Sequence, residues 1–277
     1  MKQHPDDLPV NPNPYVEPQD KSPRREVMEL RFSDPFHWLY LGWKDLRAEI
    51  AIAAFFGFCF WLMVLTLALV FKNSPEYTMS LASGCLLAGP FLAMGLYEVS
   101  RRRELGLPIS LADCLTCWKS HIRSMGMLML VLIVLELLWG RASLLVFAVF
   151  FNTGMPSTSN VLQAVFNPEN LEFLMVYVLV GGVFASLVFS SMVASLPMIL
   201  DRDTDAISAV IASFDVVYQN TGTLLVWGFL ISVLVFLAMI PWGLGLVLIG
   251  PLLGHASWHA YRACLHWSEE TSKQSPP

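Results

Sequence analysis

Residues 50–71 read IAIAAFFGFCFWLMVLTLALVF, a run from Ile50 to Phe71 without one charged side chain. About 20 apolar residues are what an α-helix needs to cross the hydrocarbon core of a bilayer. A helix on the surface of a soluble protein would show water a polar face, and this run has none. Five more stretches follow the same rule: Met79–Tyr97, Met125–Phe150, Leu171–Leu200, Thr223–Ile240 and Gly243–Tyr261. With the first they predict an all-α membrane protein of six transmembrane helices.

Composition supports that reading. Hydrophobic residues make up 55% of the chain and charged residues 14%, too few charges to solvate a soluble surface of this size. The partner that composition demands is the lipid bilayer. A net charge of −5 gives no basic footprint, which argues against nucleic acid as a partner. The first ~30 residues are polar and Pro-rich with no apolar core behind a basic start, so no signal peptide is legible. The stretch Ile50–Phe71 is expected to act as its own insertion signal.

The basic residues set an orientation. If the N-terminus is inside, fifteen of the seventeen Lys and Arg residues fall on inside segments, and only Lys72 and Arg141 fall outside. This positive-inside bias predicts that both termini are cytoplasmic, as in a bacterial inner-membrane protein. Residues 1–33 and 266–277 read as disordered cytoplasmic tails, because they mix Pro and charge with little to bury. Residues 34–265 form the membrane domain.

That domain repeats a pattern. SLADCLTCWKSHIRSMG (110–126) and DAISAVIASFDVVYQNTG (205–222) align at an offset of 96, pairing Leu111, Leu115, Trp118 and Ile122 with Ile207, Ile211, Phe214 and Tyr218. The i, i+4, i+7, i+11 spacing draws one apolar stripe on a helix. Such a helix lies in the interface plane. A weaker copy, DPFHWLYLGWKDLRAE (34–49), places Phe36, Tyr40, Trp43 and Arg47 in the same positions. The predicted architecture is three units of interfacial helix plus helical hairpin, at about 34–103, 110–202 and 204–265. Small residues mark the descending helices: Ser80, Gly84 and Ala88, then Gly182, Ser186, Ser190 and Ala194, then Gly250 and Gly254. Stripes of this kind let helix backbones approach in lipid, so these three helices are expected at the centre.

Few residues carry chemistry. Glu98, Arg101, Asp201, Arg202, Asp203, His255 and His259 all fall at the cytoplasmic ends of descending helices and predict one polar cluster there. His255 and His259 share a helix face and could ligate a metal or haem, or simply bond to neighbouring helix ends. Two ligands do not complete a site, so no cofactor is assigned. Asp203 or Thr204 could cap the next helix. Glu136 is the one carboxylate well inside a span, and intramembrane carboxylates are functional candidates by default. It could pair with another helix or relay protons. Cys114, Cys117 and His121 spell CxxCxxxH, a thiol or zinc signal that a single copy leaves weak. Walker A, dinucleotide GxGxxG, HExxH and GxSxG patterns are all missing, so no enzyme is expected.

The runs GPFLAMGLYEVSRRRELGLPISLADCLTCW (89–118), SLPMILDRDTDAISAVIASFDVV (195–217) and GPLLGHASWHAYR (250–262) resemble a widespread bacterial family of predicted integral membrane proteins of unknown function. The resemblance covers about 36–265. It implies an inner-membrane location and no established activity, cofactor or site. Some members carry a loose label of cytochrome c oxidase subunit. A catalytic haem-copper subunit would have many more spans and a set of histidine ligands, which this chain lacks. The expected role is a non-enzymatic accessory or assembly component of a membrane complex, a respiratory one among the options. A small-solute or ion transporter using the repeat axis is the alternative, and a metal- or haem-binding membrane protein is the weaker one.

Overall fold

The computed structural model describes residues 25–74, 77–151 and 171–267. Its helices are α1 (Asp34–Ala48), α2 (Ile50–Asn73), α3 (Thr78–Glu104), α4 (Leu111–Thr116), α5 (Ile122–Phe150), α6 (Leu171–Met192), α7 (Ser195–Arg202), α8 (Ala206–Gln219), α9 (Thr221–Met239) and α10 (Leu246–Cys264). A 3-10 turn over Cys117–His121 joins α4 to α5. Strands β1 (Arg25–Val27) and β2 (Leu265–Trp267) pair antiparallel, Glu26 opposite His266. Three short helices (α1, α4 and α8) are thus each followed by two longer helical segments.

Five segments are long and apolar enough to cross a membrane: Ile50–Asn73, Ser80–Glu104, Leu111–Phe150, Leu171–Arg202 and Thr221–Met239. The sixth expected span, α10, falls outside that set. Its lower half carries His255, His259 and Arg262, and ten of its nineteen residues are buried inside the protein. It packs on α1, α2, α3 and α9.

Glycines set how close α10 lies to its neighbours. A Cβ on Gly42 of α1 would lie 2.7 Å from the Ala256 nitrogen and 2.9 Å from the Leu252 oxygen. A Cβ on Gly57 of α2 would overlap the Val247 carbonyl. From the other side, Gly250 faces Phe60 and Gly254 faces Leu96 of α3. Small residues at crossings are how helices approach where lipid supplies no hydrophobic drive.

The small-residue stripes on the other two descending helices behave differently. Ser80, Gly84 and Ala88 are exposed, as are Gly182 and Ser186, and among the described residues a Cβ on Gly84 or Gly182 would meet nothing within 4 Å. Along their upper lengths α3 and α6 do not form the centre. α6 instead pairs with α5 through rings: Phe147 lies 5.0 Å from Phe173 and 5.6 Å from Tyr177.

The core sits at one end. Met94–Ser100, Ala194–Leu200 and most of Leu253–Tyr261 are buried, so the three descending segments do converge, but only at their last two turns. Trp38 of α1 meets Trp227 of α9 edge-on at 5.6 Å and closes this end from one side. We call it the polar end.

The short helices wrap it with their large apolar residues pointing away. On α8, Ala206, Ala209, Ala212, Ser213 and Val216 are buried, while Ile207, Ile211, Phe214 and Tyr218 are exposed. On α1, Trp38, Gly42, Asp45 and Leu46 face in, whereas Phe36, Tyr40 and Trp43 face out. Leu115 and Ile122 are likewise exposed. A water-soluble helix would be turned the other way round. This arrangement suits a helix whose outer face rests in lipid headgroups and acyl chains.

The tail read as 1–33 is shorter than expected where it can be seen. Arg25–Val27 is a strand, and Asn220 clamps the segment after it: its Oδ1 accepts from Leu30 N at 2.8 Å and its Nδ2 donates to Met28 O at 3.0 Å. Arg25 pairs with Asp215 of α8. The remainder of both predicted tails lies outside the described residues.

Candidate functional site at the polar end

Buried charge in a membrane protein must find partners, and here the last turns of α3 supply most of them. Glu98, Ser100, Arg101, Arg102, Arg103 and Glu104 project on all sides of one helix end. Gly106, at φ +67, takes the left-handed position that stops α3. The chain then turns into α4, whose Ser110 caps it by accepting from Asp113 N at 3.2 Å.

Glu98 is buried. It accepts from Arg102 Nε at 2.7 Å and from Arg101 Nη1 at 3.1 Å. Arg102 continues outward to Asp113 at 2.7 Å and to the Pro108 carbonyl at 2.9 Å. Arg101 Nε lies 3.7 Å from Asp201 Oδ1 but makes no hydrogen bond, and the atom is buried. Asp201 also accepts from Tyr261 OH at 2.8 Å and from Arg202 Nε at 3.1 Å. The Arg202 guanidinium sits 4.8 Å over the Trp267 ring, a cation–π geometry.

The predicted cluster is therefore assembled, though not as one patch. Glu98, Arg101, Asp201 and Arg202 form one connected network. Asp203 stands at its edge: its φ of 50° makes it the left-handed end of α7, and its carboxylate meets His121 Nδ1 at 2.9 Å. Neither Asp203 nor Thr204 caps the start of α8. Asp205 caps α8, accepting from Ser208 N at 3.0 Å, and these backbone bonds hold its carboxyl below the usual range.

His255 and His259 belong to a second network. His259 Nε2 lies 2.8 Å from Asp45 Oδ2, and Arg103 Nε lies 3.1 Å from Asp45 Oδ1. His255 Nδ1 lies 2.8 Å from Ser100 Oγ. Its Nε2 is buried without a hydrogen-bond partner. Burial alone would push the Asp45 carboxyl up. Hydrogen bonds from His259 and Ser100, with the charges of His259 and His255, outweigh burial and hold it below the usual range. Each imidazole already has a partner on another helix. Among the described residues no three His, Cys, Asp or Glu side chains are grouped to hold a metal.

Sequence reasoning missed Asp45, Ser100, Glu104 and Asp113. A signal existed for Asp45: it lies seven residues after Trp38 and three after Gly42, on the inward stripe of α1, and an acid on such a stripe requires a buried partner. Glu104 extends the first network through Arg262, which lies 3.8 Å from Asp201. It accepts from Trp258 Nε1 at 3.0 Å and pairs with Arg262 at 3.0 Å.

The CxxC pair is inert in this geometry. Cys114 is fully buried, and Cys117 donates its thiol back to the Cys114 carbonyl at 3.2 Å. His121 faces Asp203 instead. Glu136 is partnered too: it accepts from Ser83 Oγ, bridging α5 to α3.

Between α3, the α4–α5 corner and Leu200 lies a cleft of about 220 Å³, open at one side. Glu98, Arg101, Arg102, Asp113 and His121 supply its charged and titratable walls, and Thr116, Cys117 and Ser120 the rest of its polar lining.

Residues 78–201 match the family described as predicted integral membrane protein (DUF2189). The protein is an integral membrane protein, and the resemblance read from its sequence is shown for that stretch. The matched segment runs from the start of α3 to Asp201. It contains Glu98, Arg101, Arg102, Asp113, Glu136 and the cleft, and leaves out Asp45, His255 and His259. No curated protein and no solved structure matches the chain.

Proposed function

We propose that this protein is a non-enzymatic component of a membrane assembly, acting as an accessory or assembly partner. The observation that carries the reading is the open small-residue stripe on α3. Ser80, Gly84 and Ala88 are exposed, and a Cβ on Gly84 would meet nothing within 4 Å among the described residues, although such stripes serve to admit a neighbouring helix. Gly182 and Ser186 of α6 are open in the same way. The site chemistry agrees with a structural role, because Asp45, Glu98, Glu104, Asp113, Asp201, Asp203 and Asp205 are each engaged by an arginine, a histidine or a backbone amide.

The topology that goes with this reading is a bacterial inner-membrane protein with cytoplasmic termini. Its chain would be three interfacial-helix-plus-hairpin units, with α10 as a sixth, internal membrane helix. The polar end would then face the cytoplasm. A transporter through the repeat axis is the less favoured reading. The places such a path would use are occupied, by α10 and the buried side chains packed around it at the centre and by the Ser83–Glu136 bond between α3 and α5. A metal- or haem-binding role would need more ligands than His255 and His259 offer.

The test is purification of the tagged full chain in mild detergent, with mass spectrometry of what accompanies it. A stoichiometric membrane partner that is lost with Gly84→Leu, while the protein itself stays folded, is the expected result. A solitary protein whose reconstituted vesicles take up a solute in a Glu136-dependent manner would overturn the reading.

A further inference from the structure

We infer that the cleft beside the end of α3 binds the zwitterionic phosphoethanolamine headgroup of a membrane phospholipid. The first argument is position. The corner from α4 to α5 turns Leu115 and Ile122 outward, where both are exposed, and turns Thr116, Ser120 and His121 into the cleft. If the apolar side of that corner rests in lipid, its polar side lies at the level of the headgroups.

The second argument is charge. The walls carry two guanidinium groups, Arg101 and Arg102, and two carboxylates, Glu98 and Asp113. A purely anionic ligand would face both carboxylates, and a purely cationic one both arginines. A group carrying a phosphate and an ammonium two carbons apart can address each sign once. Arg102 reaches the rim of the cleft, where its Nη1 meets Asp113 and the Pro108 carbonyl, and its guanidinium suits a phosphate oxygen. Asp113 is the more open carboxylate, with 47% of its side chain exposed against 6% for Glu98, and suits the ammonium.

The third argument is size. A volume of about 220 Å³ is room for several waters and enough for a headgroup whose acyl chains lie outside the open side. The inference needs no partner protein, so it stands or falls apart from the accessory role.

The experiment is native mass spectrometry of the full chain in detergent, titrated with phosphatidylethanolamine, phosphatidylglycerol and phosphatidylcholine of matched acyl chains, and with water-soluble glycerophosphoethanolamine. Phosphatidylethanolamine is expected to bind about tenfold tighter than either other lipid, as the one charge-assisted hydrogen bond from its ammonium, which neither of the others can make, would give. Asp113→Asn should abolish that preference over phosphatidylglycerol while the thermal midpoint holds. Ser120→Leu, which fills the cleft, should bring phosphatidylethanolamine down to the level of phosphatidylcholine. Equal binding of all three lipids, or a preference that survives both substitutions, overturns the proposal. Glycerophosphoethanolamine binding as tightly as the lipid would overturn the lipid as the source.

Discussion

Gly42→Ala adds one methyl group where α1 crosses α10. The new Cβ would sit 2.7 Å from Ala256 N, 2.9 Å from Leu252 O and 3.0 Å from Ala256 Cα. All three are backbone atoms, so no side chain can swing aside, and α1 must lift from α10. Overpacking of this kind costs ~1–3 kcal/mol, and the rigid surroundings put this site at the upper end. Alanine returns ~1 kcal/mol through its better helix propensity. The net loss is about 2 kcal/mol, which for a chain of this size lowers the unfolding midpoint by ~4–8 °C. Gly84→Ala is the control. It gains the same propensity and meets nothing within 4 Å, so its midpoint should hold or rise by ~2–4 °C. The assay is heating in detergent with a thiol-reactive fluorophore, which reports exposure of the buried Cys114 and Cys264. Midpoints that move together for the two variants would refute the close α1–α10 crossing, and with it the internal placement of α10.

Three other expectations follow from the polar contacts. Asp45→Asn strips Arg103 and His259 of their shared carboxylate and should cost ~3 kcal/mol at neutral pH, since breaking a buried pair leaves its partners uncompensated. The Asp45 carboxyl is held below its ordinary value, so its contribution is full above the usual carboxylate range and fades as pH falls through the folded value. Wild type and variant should therefore converge below about pH 4, and a gap that stays constant down to pH 3 would contradict the assignment. Asn220→Ala removes both clamps on Met28 and Leu30 and should free the segment around β1. Trypsin cleavage at Arg31 should accelerate while the midpoint falls by ~1–3 kcal/mol equivalent, and unchanged cleavage would count against the clamp. Glu136→Gln keeps an acceptor for Ser83 and should shift stability by no more than ~0.5 kcal/mol, whereas Glu136→Leu should loosen α3 from α5. Equal midpoints for these two variants would show that the bond contributes nothing.

What the sequence disclosed and what it concealed have a common physical origin. The long helices were readable because lipid imposes one rule on every exposed position. The apolar stripe of α8 was readable because large apolar side chains at helical spacing share one face, and Ile207, Ile211, Phe214 and Tyr218 are all exposed. Small residues carried no such information. Gly84 and Gly254 look alike in the chain, yet the first meets nothing and the second meets Leu96, because a glycine permits contact without compelling it. Polar partners were hidden for a related reason. Residue types placed Glu98, Asp201 and the histidines at one end of the bundle, but the pairing of Asp45 with His259 spans 214 positions and depends on how α1 crosses α10.

That crossing explains why the chemistry-bearing residues lie where they do. α10 reaches the polar end along α1 and α2 only because Gly42 and Gly57 allow it, and its arrival sets His255 against Ser100, His259 against Asp45 and Tyr261 against Asp201. Each of these contacts satisfies a group that would be costly to bury alone. The carboxylates and arginines around the end of α3 are left divided between an inner set committed to α1, α7 and α10 and an outer set, Arg102 of α3 with Asp113 of α4, that borders the cleft. The inner set fixes the bundle, and Arg103→Leu should therefore act on stability. The outer set is where a ligand could still be accommodated, and Asp113→Asn should act on binding with the midpoint unmoved. Opposite outcomes for these two substitutions, read by thermal unfolding and lipid titration on the same samples, would show that the division between a structural and a binding half is misplaced.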